Sequence, residues 1–324
     1  MNPKFLLAAV ALAVATFARG GESAYTFDAS DYARKPFELG GYVARSGTAV
    51  GLECLLGSRT AMGRRLRVVE PDLCSDGANM IERDVEIVTA DGRMPCFVVH
   101  PDEGGPFPVV LVYMDALGIR EELRDMARRF ASAGYYTMLA NLYYRDGGPS
   151  FDPSVLATGT LDPRMMALND ALSMAMTAGD TKAMLDFAAR DANAGARAAA
   201  VGYCMGGRHA LAAAAACPDR IGAYASLHGG RLVSAGADSP HLLVARTNAE
   251  SYFGWAEDDP VAPLAHADAL EAALVARGLR YRIEHHKGAE HGFTFPERYC
   301  YQKQAAERVW SRLFALFSRN LERT

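Results

Sequence analysis

Seven residues in the middle of the chain, Gly202-Tyr203-Cys204-Met205-Gly206-Gly207-Arg208, stand where a short apolar strand pattern hands over to an Ala-rich helical one. A turn that tight forces its central residue into strained backbone angles, and glycines on either side let neighbouring backbone approach closely. Such a turn lifts the Cys204 sulfur clear of the sheet and points it over a helix N-terminus, where backbone N–H groups and the positive dipole end favour a thiolate. A glycine-flanked cysteine also occurs in plain strand–helix turns, so its partners decide the reading. GWAEDDPVAP places Asp258 and Asp259 just after a strand pattern over Ser251–Trp255, and GAEHGFTFPER places His291 in a loop after one over Tyr281–His285. Nucleophile, acid and histidine thus follow in chain order, each beyond the C-terminal end of a strand, where open parallel sheets carry their sites.

The chemistry open to these groups is acyl transfer. A thiol with an ordinary pKa of about 8.5 is mostly protonated at neutral pH, so attack on an ester needs a base or a depressed pKa. His291 is the base at hand. The tetrahedral oxyanion then needs two donors. The turn offers the N–H of Met205, and Ala116, beside the strand end at Asp115, is expected to offer the second. Water would then cleave the thioester, with His291 returning the proton.

The elements that must hold these groups begin at Met80, from which strand patterns alternate with helical ones. That alternation is the signature of a mostly parallel sheet with helices on both faces. MIERDVEIVTADGRMPCFVVHP reads as strands Val85–Thr89 and Pro95–Val99 joined by a tight turn at Asp91-Gly92. Val109–Asp115 is nearly continuously apolar, as a strand buried on both sides should be. Over Arg120–Ser132, Leu123, Met126, Phe130 and Ala131 recur at near-helical spacing. Strands are further expected over Tyr135–Leu139, Ala198–Tyr203 and Ala223–Leu227, and helices over Pro163–Arg190, Gly207–Ala216, Leu264–Arg277 and Gln302–Ser318. One α/β domain over residues 80–324 is the expectation.

Residues 1–79 read differently. Lys4 followed by LLAAVALAVATFA has the order of a secretory leader, with small residues near Ala15, Ala18 and Ala24, while Thr26 to Asn79 sustains no period. Either the segment is a leader with an irregular exported extension, or Met80 is the working start. The second is expected, with a cytoplasmic location; export follows if residues 1–24 act as a signal peptide.

Composition narrows the partners. The 324 residues carry 34 Lys+Arg against 38 Asp+Glu, a net charge of −4, so no basic surface is available for nucleic acid. The apolar run from Phe5 to Ala18 falls short of the roughly 20 residues needed to cross a membrane. The six cysteines (Cys54, Cys74, Cys96, Cys204, Cys217 and Cys300) form no CxxC, and no Cys/His cluster has the spacing of a structural zinc site. No metal and no cofactor is expected.

From about Met80 to its C-terminus the chain resembles the dienelactone hydrolase (carboxymethylenebutenolidase) family, carried by GYCMGG, AEDDPVAP, the HGF of the histidine loop and YMDALGIREEL. The resemblance implies an α/β-hydrolase fold and a small-molecule ester or lactone as substrate. It implies Cys204 as nucleophile, His291 as general base and later general acid, and Asp259 as the carboxylate orienting His291. Asp259 is preferred to Asp258 because the family commonly has a proline four positions after the acid, and Pro263 stands there.

Two departures qualify the match. The family's strand end carries a glutamate that holds the resting cysteine; here it reads Asp115, one methylene shorter, which is either a resting-thiol partner or a hydrogen-bond acceptor for loop backbone. The family's carboxylate-gripping arginine after the histidine is replaced by Phe295. Arg298, Arg145 and Arg120 remain as candidate anion partners, since a guanidinium can grip a carboxylate bidentately. Tyr143, Tyr144 and Trp255 are candidate pocket aromatics. A non-catalytic binding protein on the same fold, or an acyltransferase or peptidase, are the alternatives.

Overall fold

The computed structural model describes residues 79–157, 161–236 and 238–321. The expected leader or extension lies outside them except for Asn79, whose carbonyl accepts the Asp102 N–H at 2.9 Å. Among the described residues one sheet holds β1 (Met80–Thr89), β2 (Gly92–Pro101), β3 (Phe107–Tyr113), β4 (Tyr136–Ala140), β5 (Ala194–Tyr203), β6 (Ile221–Leu227), β7 (Glu250–Asp258) and β8 (Tyr281–Glu290). Their spatial order is β1-β2-β4-β3-β5-β6-β7-β8. The β1–β2 and β2–β4 pairs are antiparallel and the rest parallel, as the alternating pattern predicts.

The helices are α1 (Glu121–Ser132), α2 (Ser154–Ala157), α3 (Pro163–Ala171), α4 (Met174–Ala188), α5 (Gly206–Ala216), α6 (Leu264–Ala276) and α7 (Lys303–Asn320). Burial explains the apolar strands: every residue of β4, and all of β3 but Pro108, is shielded from water. The α1 stripe of Leu123, Met126, Ala127 and Phe130 is buried, and Phe130 meets Trp310 and Phe314 of α7 at ring distances of 4.7 and 5.9 Å. Each such aromatic stabilises the fold by about 1.5–3 kcal/mol. On the other face α4 and α5 are joined by Thr177 Oγ1 and His209 Nδ1 at 2.6 Å.

Several expected boundaries move: β1 begins at Met80 rather than Val85, β3 ends at Tyr113 rather than Asp115, and β7 and β8 run on to Asp258 and Glu290. The first turn occupies Ala90-Asp91, since Thr89 pairs with Gly92; the Thr89 hydroxyl accepts the Asp91 N–H (3.1 Å) and donates to the Gly92 carbonyl (3.0 Å), closing the turn one residue early. The stretch Pro163–Arg190, expected to be mostly helical, holds two helices, because the Ser173 hydroxyl accepts the Met176 N–H at 3.1 Å and caps a new start.

The register sets up the site. A bulge in β8, where three residues stand against one of β7, leaves Asp258 opposite Glu290, so the next residues, Asp259 and His291, leave the sheet side by side. The chain runs from β3 to β4 on one side and returns to β5 on the other, and this reversal opens a crevice above the β3 and β5 ends. No helix among the described residues is long and apolar enough to cross a membrane.

Candidate active site

Cys204 sits at φ +53, left-handed backbone that a side-chain-bearing residue rarely adopts. The strain is held from both sides. A Cβ on Gly202 would lie 1.9 Å from the Gly206 carbonyl oxygen, and one on Gly206 would lie 2.2 Å from that of Tyr113, so neither position tolerates a larger residue without moving backbone. The Cys204 N–H donates to Leu227 O at 3.0 Å, and its carbonyl accepts from Gly207 and Gly230 at 3.1 Å each.

Asp259 is buried and fully used. Its Oδ1 accepts the N–H groups of Val261 (2.9 Å) and Ala262 (3.0 Å), and its Oδ2 accepts from His291 Nδ1 at 2.8 Å. Asp258 is exposed. Trp255 braces this turn, donating from Nε1 to Ala262 O at 2.6 Å, rather than lining a pocket. With Nδ1 on Asp259, the imidazole also acts on the Cys204 sulfur, each favouring the charged form of the other. Burial works against charge on both groups, yet their mutual attraction outweighs it. Cys204 is lowered below its ordinary thiol value by His291, and His291 is raised well above its own by Asp259 and Cys204. The pair favours thiolate and imidazolium.

Ala116 and Met205 line a cleft of about 40 Å³ with Cys204, Arg208, Arg231 and Val261. Among the described residues neither Ala116 nor Met205 spends its N–H on another group. Tyr143 lies beneath them, its hydroxyl donating to Ala116 O at 3.0 Å and touching Met205 Sδ at 3.3 Å. Burial, then the nearby Cys204 charge, push its phenol upward, so it stays a donor.

Both carboxylate oxygens of Asp115 are taken by guanidinium groups, and its charge opposes ionisation of Cys204. Arg120 Nη1 donates to its Oδ1 at 2.8 Å and Arg298 Nη2 donates to its Oδ2. Both the expected thiol contact and the alternative of loop N–H donors give way to this double ion pair, and Arg120 and Arg298 are occupied by it. Arg145 and Tyr144 are drawn elsewhere: Arg145 pairs with Asp180 and Asp91, and the Tyr144 hydroxyl bonds Asp180 (2.9 Å) and Thr89 (2.7 Å). A buried carboxylate on α4 captures both before a substrate can.

Three further groups near the cysteine and histidine were given no role from the sequence. Arg208 is 5% exposed and donates through Nη2 to the Asn169 carbonyl (3.0 Å) and Oδ1 (2.7 Å). It stands inside the elbow motif, one helical turn past Cys204, which was the available signal. No carboxylate among the described residues pairs with it. Burial and the Arg231 charge pull its guanidinium down to about 10. Arg231 lies at φ +56, beyond pattern reading. His228, at φ +39, sets its ring 5.2 Å from that of His291 and bonds Thr294 Oγ1 through Nε2 at 2.8 Å. A larger cavity of about 250 Å³ lies between β7, β8 and α7, lined by Glu250, Tyr252, Arg282, Arg312 and Arg319, and holds none of these groups.

Comparison with known proteins identifies the family. The dienelactone hydrolase family model matches residues 94–321. A candidate carboxymethylenebutenolidase of Methylorubrum extorquens is 28% identical over 278 residues, 82% of this chain and 92% of that protein. The carboxymethylenebutenolidase of Pseudomonas putida is 26% identical over 151 residues, 45% of this chain and 61% of the relative. Among solved structures, a candidate dienelactone hydrolase from Klebsiella pneumoniae superposes with a TM-score of 0.66 at 25% identity, covering 74% of this chain and 99% of that one. The sheet order, the strained cysteine turn and a family match running through most of the chain converge: this protein belongs to the dienelactone hydrolase family of the α/β-hydrolase superfamily, and is a carboxymethylenebutenolidase-like hydrolase.

Proposed function

We propose that the unit from Met80 onward is a cysteine hydrolase of small esters or lactones that works through Cys204, His291 and Asp259 by way of a thioester. The observation that carries this reading is the His291 Nδ1–Asp259 Oδ2 hydrogen bond at 2.8 Å, with Cys204 held at φ +53 on the strand–helix turn and His291 the group that lowers its thiol value. The thiolate attacks the substrate carbonyl carbon. The carbonyl electrons move to oxygen, where the N–H groups of Met205 and Ala116 receive them; each donor is typically worth about 3 kcal/mol in the transition state. The intermediate collapses by breaking the C–O bond, and imidazolium His291 protonates the departing alkoxide. Neutral His291 then takes a proton from water, whose oxygen attacks the thioester, and collapse returns the Cys204 thiolate and releases the acid. Asp259 holds the ring tautomer throughout.

Arg208 supports an anionic group on the substrate. A buried guanidinium without a carboxylate partner is costly, and an incoming carboxylate would offset that cost while orienting the ester over Cys204. The test is Cys204→Ala, assayed on an activated aryl ester and on a dienelactone, with folding checked by circular dichroism. Turnover should fall to background with the fold intact; activity near wild type would refute the nucleophile assignment.

A further inference from the structure

Asp115 directly precedes Ala116, so its carbonyl belongs to the same peptide unit as the N–H offered to the oxyanion. That carbonyl accepts the Gly118 N–H at 3.2 Å, which turns the Ala116 N–H to the opposite side of the peptide plane. Gly118 itself has φ +81, and a Cβ there would come within 2.6 Å of the Pro149 carbonyl oxygen, so the turn is wedged from outside as well.

The side chain anchors the same peptide from within. Asp115 is 1% exposed, and each carboxylate oxygen holds a different guanidinium, Arg120 at 2.8 Å and Arg298 on the other side. Both cations lie over the Phe295 ring, 5.0 and 3.9 Å from its centroid. Arg120 continues to Glu122 Oε2 through Nε (3.0 Å) and Nη2 (2.6 Å), and Glu122 Oε1 accepts the Glu297 N–H at 2.9 Å. Two acids and two bases thus balance in a buried circuit, the arrangement that burial of charge demands. The circuit runs from the end of β3, through the start of α1, to the segment that follows His291. Cys300 ties that segment back, its Sγ donating to the His291 carbonyl at 3.2 Å.

We infer that Asp115 is a positioning residue: the Arg120–Asp115–Arg298 clamp fixes the Asp115–Ala116 peptide against the histidine loop, so oxyanion donor and general base keep their spacing, and the carboxylate oxygens are spent on the two guanidinium groups rather than on the thiol. This rests on Cys204 as nucleophile. His291 is then the group that most favours the resting thiolate.

The experiment compares Asp115→Asn with wild type in two assays on the full chain: steady-state hydrolysis of p-nitrophenyl acetate, and alkylation of Cys204 by iodoacetamide without substrate across pH. Losing part of one oxyanion donor's alignment should lower kcat about tenfold or more while KM stays within about threefold. The Cys204 alkylation rate should stay within about threefold of wild type, because His291 is untouched. A merely structural role would not divide the two readouts in this way. Alkylation that falls in step with kcat, alkylation that rises tenfold as from a freed thiol, or an unchanged kcat would each overturn the clamp. If Asp115→Asn does not fold, Arg120→Lys is read by the same criteria, since it keeps the charge and loses the fork between Asp115 and Glu122. Cys204→Ala alongside separates the two claims. Activity surviving there retires the nucleophile and the clamp together, whereas a silent Cys204→Ala beside a fully active Asp115→Asn retires the clamp alone.

Discussion

Strands β7 and β8 carry two carboxylate–histidine arrangements, and they behave oppositely. At the C-terminal ends Asp259 meets His291 at 2.8 Å with no cation between them. Within the same strands Glu284 shares the Tyr252 hydroxyl (3.1 Å) with His286, which lies 3.3 Å from that oxygen. Glu284, however, is surrounded by Arg282, Arg308 and Arg312. His291 is raised well above its ordinary value, because Asp259 and Cys204 outweigh its burial. His286 is lowered by burial, which the Glu284 charge does not offset beside Arg308. A carboxylate near a histidine is therefore not enough; it must be undivided. Asp259 directs its second oxygen to backbone N–H groups, which orient it without cancelling its charge.

The sharpest way to break this contrast is Asp259→Asn. An amide there offers no charge and the wrong tautomer partner, so kcat should fall by about a thousandfold or more in an aryl-ester assay. A loss under tenfold would mean that His291 is oriented by something else.

A pH experiment comes next in size. Cys204 lies below the ordinary thiol value, whereas burial pushes Cys300 up to about 11 and also raises Cys96 and Cys217. Iodoacetamide should therefore label Cys204 well below pH 8.5, at least about tenfold faster than Cys96, Cys217 or Cys300, with the rate dropping only on the acid side as the thiolate gains its proton. In Asp259→Asn the imidazolium loses support, so that acid limb should move to higher pH; a limb that stays in place would count against the ion pair.

The smallest effect is expected from the other arrangement. Glu284→Gln should cost about 1 kcal/mol of stability in urea unfolding, since its arginines are largely exposed and rehydrate, and turnover should stay within about twofold. A large loss of activity would show that the two arrangements are coupled.

What could be read in the sequence follows the distance over which each feature is determined. The cysteine elbow was legible because a few adjacent glycines determine it, and Asp259 and His291 because each directly follows a strand. The arginines were not. Arg145 turns to Asp180, and Arg298 reaches Asp115 across most of the domain, so their partners exist only once helices and loops have packed. Arg208 was in view within the motif, yet its missing counter-ion is a fact of burial that no spacing encodes. The early hairpin turn escaped because the Thr89 side chain, rather than the Asp-Gly pair, closes it.

The most direct measurement is acid quench of the wild-type protein during turnover of p-nitrophenyl acetate, followed by peptide mass spectrometry. One acetyl group on the peptide containing Cys204, absent in Cys204→Ala, is the predicted result. Acetyl on another side chain, or full turnover with Cys204 never modified, would contradict the thioester route.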